Sequence, residues 1–360
     1  MNDMDCYQAL AQRLNALPQG FPATEDGVEL KLLAKLFTPQ EAALGAGLRM
    51  TLEKPAEIAE RLGMDMREVS SLLKDMAKKG LIKVGGLTRG GLGFGLLPFV
   101  VGIYEMQAGR IDKEFAELFE QYYRQTRAAM VQVQPAFHRV IPVGEAIPMD
   151  MAVQPYMNAA ELVRSMASWG VTECICRKQR QLIGEGCEHP MDVCMVMSEK
   201  ENAFPGNEII RKLTQEEALD VLKLAADAGL VHSVSNHKDG HWYICNCCTC
   251  SCAILRSMKE MGLADVVAKS PYVAKIDPSE CIVCGACAER CPFDAIEETE
   301  SFEVIAARCQ GCGQCVLACP SEAIQMQERP QKELDPLYDT EEAWLKARAK
   351  ARAIDLEDVL

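Results

Sequence analysis

Two short runs of cysteine repeat one pattern: Cys281-x2-Cys284-x2-Cys287-x3-Cys291-Pro292 and Cys309-x2-Cys312-x2-Cys315-x3-Cys319-Pro320, with first residues 28 apart. A two-residue spacing lets the chain wrap a corner of an iron–sulfur cube and present three thiolates from one loop. The fourth ligand comes from elsewhere. In this motif the last Cys of each run serves the cluster of the other run. The pattern therefore predicts two [4Fe–4S] clusters, one on Cys281, Cys284, Cys287 and Cys319, the other on Cys309, Cys312, Cys315 and Cys291. Zinc sites use separated Cys pairs rather than two runs of four closed by proline. Clusters ligated wholly by Cys leave no open iron, so the chemistry that remains is single-electron transfer.

Nine further cysteines fall in two patches, Cys174, Cys176, Cys187 and Cys194, then Cys245, Cys247, Cys248, Cys250 and Cys252. Soft thiolates select iron–sulfur clusters, zinc or Cu(I). Nine of them predict one or two further iron–sulfur clusters, zinc, or redox disulfides, without saying which four group together. The adjacent pair Cys247-Cys248 suits one metal poorly, because neighbouring side chains diverge. It could serve two metals, or put one thiol into packing. Arg177 and Lys178 could offset cluster charge or form a solvated pair. His232, His237 and His241 lie on a hairpin beside Cys245 and read as surface residues rather than ligands.

Of the 18 cysteines in 360 residues, Cys6 alone lies outside 174–319. The start of the sequence has no basic, apolar leader, so the thiols read as metal ligands in a reducing cytoplasm, that of an anaerobe, rather than as a disulfide framework. The apolar uncharged run 90–104 is broken by glycine and proline and is too short to span a membrane, which takes about 20 apolar residues. A net charge of −14 disfavours nucleic acid and favours docking on a basic protein surface.

The cysteines must be positioned by elements that the hydrophobic pattern and the caps delimit. Residues 1–27 read as a helix and linker. In 28–110, Thr38-Pro39-Gln40-Glu41 is a capping box and Asp65 caps a helix ended by Gly80, after which Leu81–Val84 is strand-like. The segment from Pro55 to Val84 resembles a winged-helix module. Residues 28–90 hold 11 Lys/Arg against 8 Asp/Glu, a net of +3, and the apolar wing (85–99) reads as packed rather than laid on phosphates. Residues 111–149 read as an amphipathic helix, with Phe115, Leu118, Phe119 and Tyr122 on its apolar face, and a strand over 137–147. In 150–265, the Cys-rich unit, Asn158 caps a helix reaching Trp169, Thr214 caps another ended by Gly229, and strand-like pieces lie at 230–235 and 241–244. Residues 329–360 read as a charged helical tail, either a solvated surface helix, the reading the charge favours, or a partner-contacting one.

Residues 270–328 resemble bacterial two-cluster ferredoxins over about 58 residues, which implies a (βαβ)2 domain with short strands at VAKID, FEVIA and AIQMQ. The whole order resembles a group of ferredoxin-type proteins of anaerobes. The expected class is α+β: a winged-helix-like front, a Cys-rich α+β middle and a two-cluster end. The expected function is relay of single electrons, as the carrier of a cytoplasmic oxidoreductase system, to or from a flavoprotein or other redox enzyme. The winged helix and the apolar 90–104 segment would dock that partner. Two alternatives are a redox-sensing winged-helix transcription regulator and a reductase with a catalytic cluster among the nine cysteines. Gly91-x-Gly93-x-Gly95 lacks a βαβ context and is not a phosphate loop.

Overall fold

The computed structural model describes residues 3–88, 90–147, 157–204 and 209–360. The start expected for the Cys-rich unit, residue 150, lies outside the described residues. The chain mixes helix and strand, α+β in class, and divides into two units. The first comprises residues 1–134, 182–184 and 345–360; the second comprises 135–181 and 185–344.

In the first unit come α1 (Asp3–Asn15), α2 (Val28–Leu36), α3 (Pro39–Ala46), α4 (Pro55–Leu62), α5 (Met66–Lys78), β1 (Ile82–Gly86), β2 (Leu92–Leu96) and α6 (Lys113–Val131). The caps are those the sequence signals. Thr38 Oγ1 accepts from the Glu41 N–H (3.3 Å) while Glu41 Oε2 accepts from the Thr38 N–H (2.8 Å), and Asp65 Oδ1 accepts from the N–H groups of Arg67 and Glu68. β1 and β2 form an antiparallel hairpin, and Phe94 also exchanges backbone hydrogen bonds with Glu53. Of the cations on α5, Arg67, Lys74 and Lys78 are exposed. Lys79, just past its end, is paired at 2.7 Å with Glu41, itself buried.

Two expectations fail here. Most of the 90–104 segment is core rather than docking surface: Phe94, Leu96, Phe99, Val100, Ile103 and Tyr104 are all buried, and only its start, at Leu92, is exposed. The Phe99 ring lies 4.5 Å from Phe21, and Tyr104 stacks on Phe119 at 3.9 Å. Burying aromatic area of this kind outweighs anything the segment could gain in solvent. Nor is the tail solvated all round: one face of its helix is packed while most of 329–360 stays exposed or half-buried. Arg348 is fully buried and donates to the carbonyls of Pro18, Val133 and Met130, and Leu345 and Ala349 are buried with it. Its charge reads as solvated in the sequence, but a guanidinium can be buried where carbonyls satisfy its fixed fork of donors.

The second unit opens with β3 (His138–Val140), α7 (Ala159–Ser165), β4 (Ser168–Glu173), α8 (Ile175–Leu182), β5 (Asp192–Ser198), β6 (Arg211–Leu213), α9 (Gln215–Asp227), β7 (Val231–Ser235), β8 (Tyr243–Cys247) and α10 (Ala253–Met261). The six strands form one sheet in the order β3-β7-β8-β5-β4-β6, with every neighbouring pair antiparallel. One face carries Val171, Val193, Met195, Met197, Leu213, Val234 and Ile244, covered by Val163 of α7 and by Ala218, Leu222 and Ala225 of α9. The helix expected to reach Trp169 stops at Ser165 instead. Trp169 and Gly170 lie in β4, which is paired on both sides, and the Trp169 indole N–H returns to the Val163 carbonyl at 2.7 Å. Strand pairing on two edges overrides the local helical pattern. The stretch expected as strand over 137–147 is strand only at 138–140.

The unit continues with β9 (Tyr272–Ile276), α11 (Ala286–Arg290), β10 (Ile296–Glu298), β11 (Phe302–Val304), α12 (Gln314–Leu317) and β12 (Ile324–Glu328). β9 pairs with β12 and β10 with β11, both antiparallel. This part is not held apart from the sheet. Gln314 donates to the Leu230 carbonyl (2.7 Å), Arg290 to the carbonyls of Ala226 and Asp227 (2.7 Å each), and Val143 N–H to the Cys312 carbonyl (3.0 Å). The last helix, α13, is Glu341–Ala351.

Candidate metal centres

The two cysteine runs fold as two copies of one backbone. Gly285 (φ 79°) precedes α11 and Gly313 (φ 77°) precedes α12, each directly after the second Cys of its run. Two positions further match in the same left-handed region: Val283 (φ 53°) with Gly311 (φ 71°), and Asp294 (φ 48°) with Glu322 (φ 55°). A left-handed residue between two cysteines turns the chain so that both thiols face inward. At Gly311 no side chain fits, since a Cβ would lie 2.1 Å from Ser270 Oγ and 2.2 Å from the Tyr272 carbonyl oxygen.

The eight thiols line two separate cavities. Cys281, Cys284, Cys287 and Cys319 line the first, with Ile276, Phe302 and Ile324 as apolar wall. Cys291, Cys309, Cys312 and Cys315 line the second, with Ala274, Phe293 and Ile296. The last Cys of each run lines the cavity of the other run. Burial pushes up the thiols of Cys287, Cys291, Cys312 and Cys315. A buried thiol with no cation beside it stays protonated, so loading such a site with metal releases protons. Arg329, also buried, braces the second cavity by donating to the carbonyls of Cys309 (2.5 Å) and Ser270 (3.1 Å).

Beside these lies the field of nine thiols. Side chains alternate along a strand. Because Val193, Met195 and Ile244 point into the apolar core, Cys194 of β5 and Cys245 and Cys247 of β8 emerge on the other face. Cys174 lies between β4 and α8, Cys176 sits in the first turn of α8, and Cys252 caps α10. Six of the nine form a continuous chain of thiol contacts in the order Cys194, Cys174, Cys176, Cys252, Cys247, Cys245. Hydrogen bonds from Cys176 and Cys194 hold the Cys174 thiol well below its ordinary value, aided by Arg177.

The other three stand apart with a histidine. Cys187 Sγ lies 3.9 Å from Cys248 Sγ, and Cys250 Sγ 3.7 Å from His189 Nδ1. All four ligand atoms lie within 4.8 Å of one another, and no other set of three or more Cys, His, Asp or Glu among the described residues is that compact. The adjacent pair Cys247-Cys248 thus divides between the two groups. The Cys248 thiol is lowered to about 5, by a hydrogen bond from Cys250 and by the charge of Arg177.

Arg177 joins the two groups. It is 1% exposed, donates to the Asn246 carbonyl at 3.2 Å and reaches Cys248 Sγ at 3.7 Å. It forms no ion pair with a carboxylate among the described residues. Burial alone lowers its pKa, yet Cys174, Cys194, Cys248 and Cys247 outweigh that and raise it. An uncompensated buried cation costs several kcal/mol, and the two thiols held low, Cys174 and Cys248, are the ones placed to offset it. Lys178, by contrast, is half-exposed and paired with Glu173. His232 bonds Asn246 (2.5 Å), His241 bonds Ser235 (3.0 Å) and stacks on His237, and none joins the compact group. His189 escapes sequence reasoning; the one signal for it is Cys-x-His followed by proline at 187–190.

Two cavities each ringed by four cysteines are the mark of an iron–sulfur protein. The family model described as the 4Fe-4S dicluster domain matches residues 274–326, which span both cavities. No curated protein matches the chain at a significant level.

Proposed function

We propose that this chain is an electron-transfer protein of the two-cluster ferredoxin type, extended by a metal-bearing middle part. The observation that carries the reading is the exchange of the last cysteines, which leaves each cavity with three thiols from one run and one from the other. Cys281, Cys284, Cys287 and Cys319 would hold one [4Fe–4S] cluster and Cys309, Cys312, Cys315 and Cys291 the second. A cluster bound this way supplies a reversible one-electron couple, toward the negative end of the iron–sulfur range when its surroundings are acidic. The chain's own contribution is to exclude water with the apolar walls and to keep iron from leaving or binding substrate.

Ile282 and Val283, 63% and 47% exposed on the first Cys loop, mark where that cluster comes closest to solvent. A flavoprotein or other oxidoreductase subunit docking there would exchange electrons over the shortest path. The helix–turn–helix and hairpin of α4, α5, β1 and β2 follow the order of a winged-helix module. With a +3 balance, and with Lys79 engaged by Glu41, it suits a structural or protein-docking role better than DNA. Among the described residues no helix is long and apolar enough to cross a membrane, and the thiol content suits a reducing cytoplasm. The six-thiol chain of the middle part has enough ligands for a further cluster.

The test is iron and acid-labile sulfide on anaerobically purified full-length protein, with spectra of the reduced state. About 8 Fe and 8 S or more per chain, with spin-coupled signals of two reduced clusters, is the expected result. Less than about 4 Fe after anaerobic reconstitution overturns the reading.

A further inference from the structure

The nine cysteines of the middle part are not one site. We propose that Cys187, His189, Cys248 and Cys250 form a tetrahedral Cys3His site for a single zinc ion, separate from the six thiols around Cys174 and from both ferredoxin cavities. This deepens the proposal of metal in the middle part, and it names one ion, its ligands and its geometry.

Distance carries the inference. A zinc ion with Zn–S near 2.3 Å and Zn–N near 2.0 Å holds its ligand atoms about 3.8 Å apart for two sulfurs and about 3.5 Å for sulfur and nitrogen. Cys187 and Cys248 are 3.9 Å apart, and Cys250 and His189 3.7 Å. A cube sits between its four ligands and keeps their sulfurs much farther apart than one metal ion does. The same structure displays that contrast. In each ferredoxin cavity no three cysteine sulfurs fall within 4.8 Å of one another, and neither do any three of the six-thiol chain, whereas all four atoms of the Cys187 group do.

Chemistry agrees with the distances. Three thiolates and one imidazole make a closed structural zinc set. The ligands come as two short hooks, Cys187-x-His189 from the loop before β5 and Cys248-x-Cys250 from the turn after β8. One ion would tie these otherwise irregular segments together. Arg177 at 3.7 Å from Cys248 offsets the negative charge of a three-thiolate site. Ser251 Oγ, 3.3 Å from Cys187 Sγ, can donate to a ligand sulfur, which is the outer-shell support such sites need. The ion would be fixed and redox-silent, so the site holds the fold of the six-thiol region rather than extending the electron path.

The experiment uses the full-length protein, expressed with iron and zinc both present and then reconstituted anaerobically with excess iron and sulfide. Metal analysis should find about one zinc per chain that survives reconstitution, and the zinc X-ray absorption edge should fit three sulfurs and one nitrogen. His189→Ala and Cys250→Ser should each lose that zinc while iron and sulfide stay constant. Because the absorption measurement uses the unaltered protein, a variant that fails to fold does not decide the question. Absence of zinc, a four-sulfur environment, or loss of about four irons in His189→Ala would each overturn the site. The two proposals separate in this readout: zinc without iron sinks the electron carrier and keeps the zinc site, and iron without zinc does the reverse.

Discussion

Cys291 and Cys319 each follow one cysteine run in sequence and line the cavity of the other run. Cys291→Ser should therefore remove the signal of the cluster on Cys309, Cys312 and Cys315 while leaving that on Cys281, Cys284 and Cys287. Selective loss of the latter in reduced-state spectra would contradict the exchange. His138 gives a second expectation at this scale. It is 4% exposed, its Nε2 has no hydrogen-bond partner, and burial pushes its pKa down to about 4 from 6.5. A base whose folded pKa is depressed takes up its proton in the unfolded chain first. Stability is therefore intact above pH 6.5 and falls as the pH drops from 6.5 to 4, by up to about 3 kcal/mol for this residue. His138→Phe should flatten that part of the profile of denaturation midpoint against pH; an unchanged slope would place the acid sensitivity elsewhere.

Within the elements, the doubled backbone of the cysteine loops makes opposite forecasts for two matched positions. Val283 is a β-branched residue in the left-handed region, a conformation costing about 1–3 kcal/mol, whereas Gly311 adopts it freely. Val283→Gly should stabilise the metal-loaded protein by about 1 kcal/mol, since the relieved strain exceeds the added unfolded-state entropy. Gly311→Ala meets both the strain and the Tyr272 carbonyl at 2.2 Å. It should lower stability by more than about 1 kcal/mol and weaken retention of the neighbouring cluster. Thermal unfolding of the two variants checks both signs. A change of the same sign in both would show that the left-handed turn is not what the loops share. The alternation of β5 and β8 acts at this scale too. It sends Met195 and Ile244 into the apolar core and Cys194, Cys245 and Cys247 to the opposite face, so the sheet that stabilises the middle part also lays out its thiols.

Across the whole molecule, thiols are divided as unequally as the chain allows. The first unit contains one cysteine, Cys6, and a core of leucines and aromatics such as Leu10, Leu14, Leu32, Phe99 and Tyr122. The second contains the other 17. Burial of apolar area suffices for the first, whereas the loops of the second close around groups of thiols whose metal-binding energy is folding energy. Stripping iron and zinc with a chelator under reducing conditions should therefore abolish the thermal transition of the second unit and leave that of the first within a few degrees. Loss of both transitions together would show that the first unit does not fold by its own core.

The cysteine spacings alone determined the 4Fe-4S dicluster part, because three thiols within seven residues can reach one cluster whatever surrounds them. Short-range signals likewise determined α3, α5 and α9, whose caps lie within three residues of the groups they satisfy. The partition of the nine middle cysteines was beyond such reasoning. Cys187 and Cys248 are 61 residues apart, and only the pairing of β5 with β8 brings their loops to 3.9 Å. The same holds for Trp169, drawn into a strand paired on both edges, and for the 90–104 segment, whose apolar run is equally compatible with a docking surface and a core. Arg348 reads as a surface charge, and Arg177 stays open between cluster counter-charge and a solvated pair, because sequence records side-chain type and not the carbonyls or thiolates that wait to receive it. Those partners come from distant parts of the chain, and tertiary packing alone supplies them.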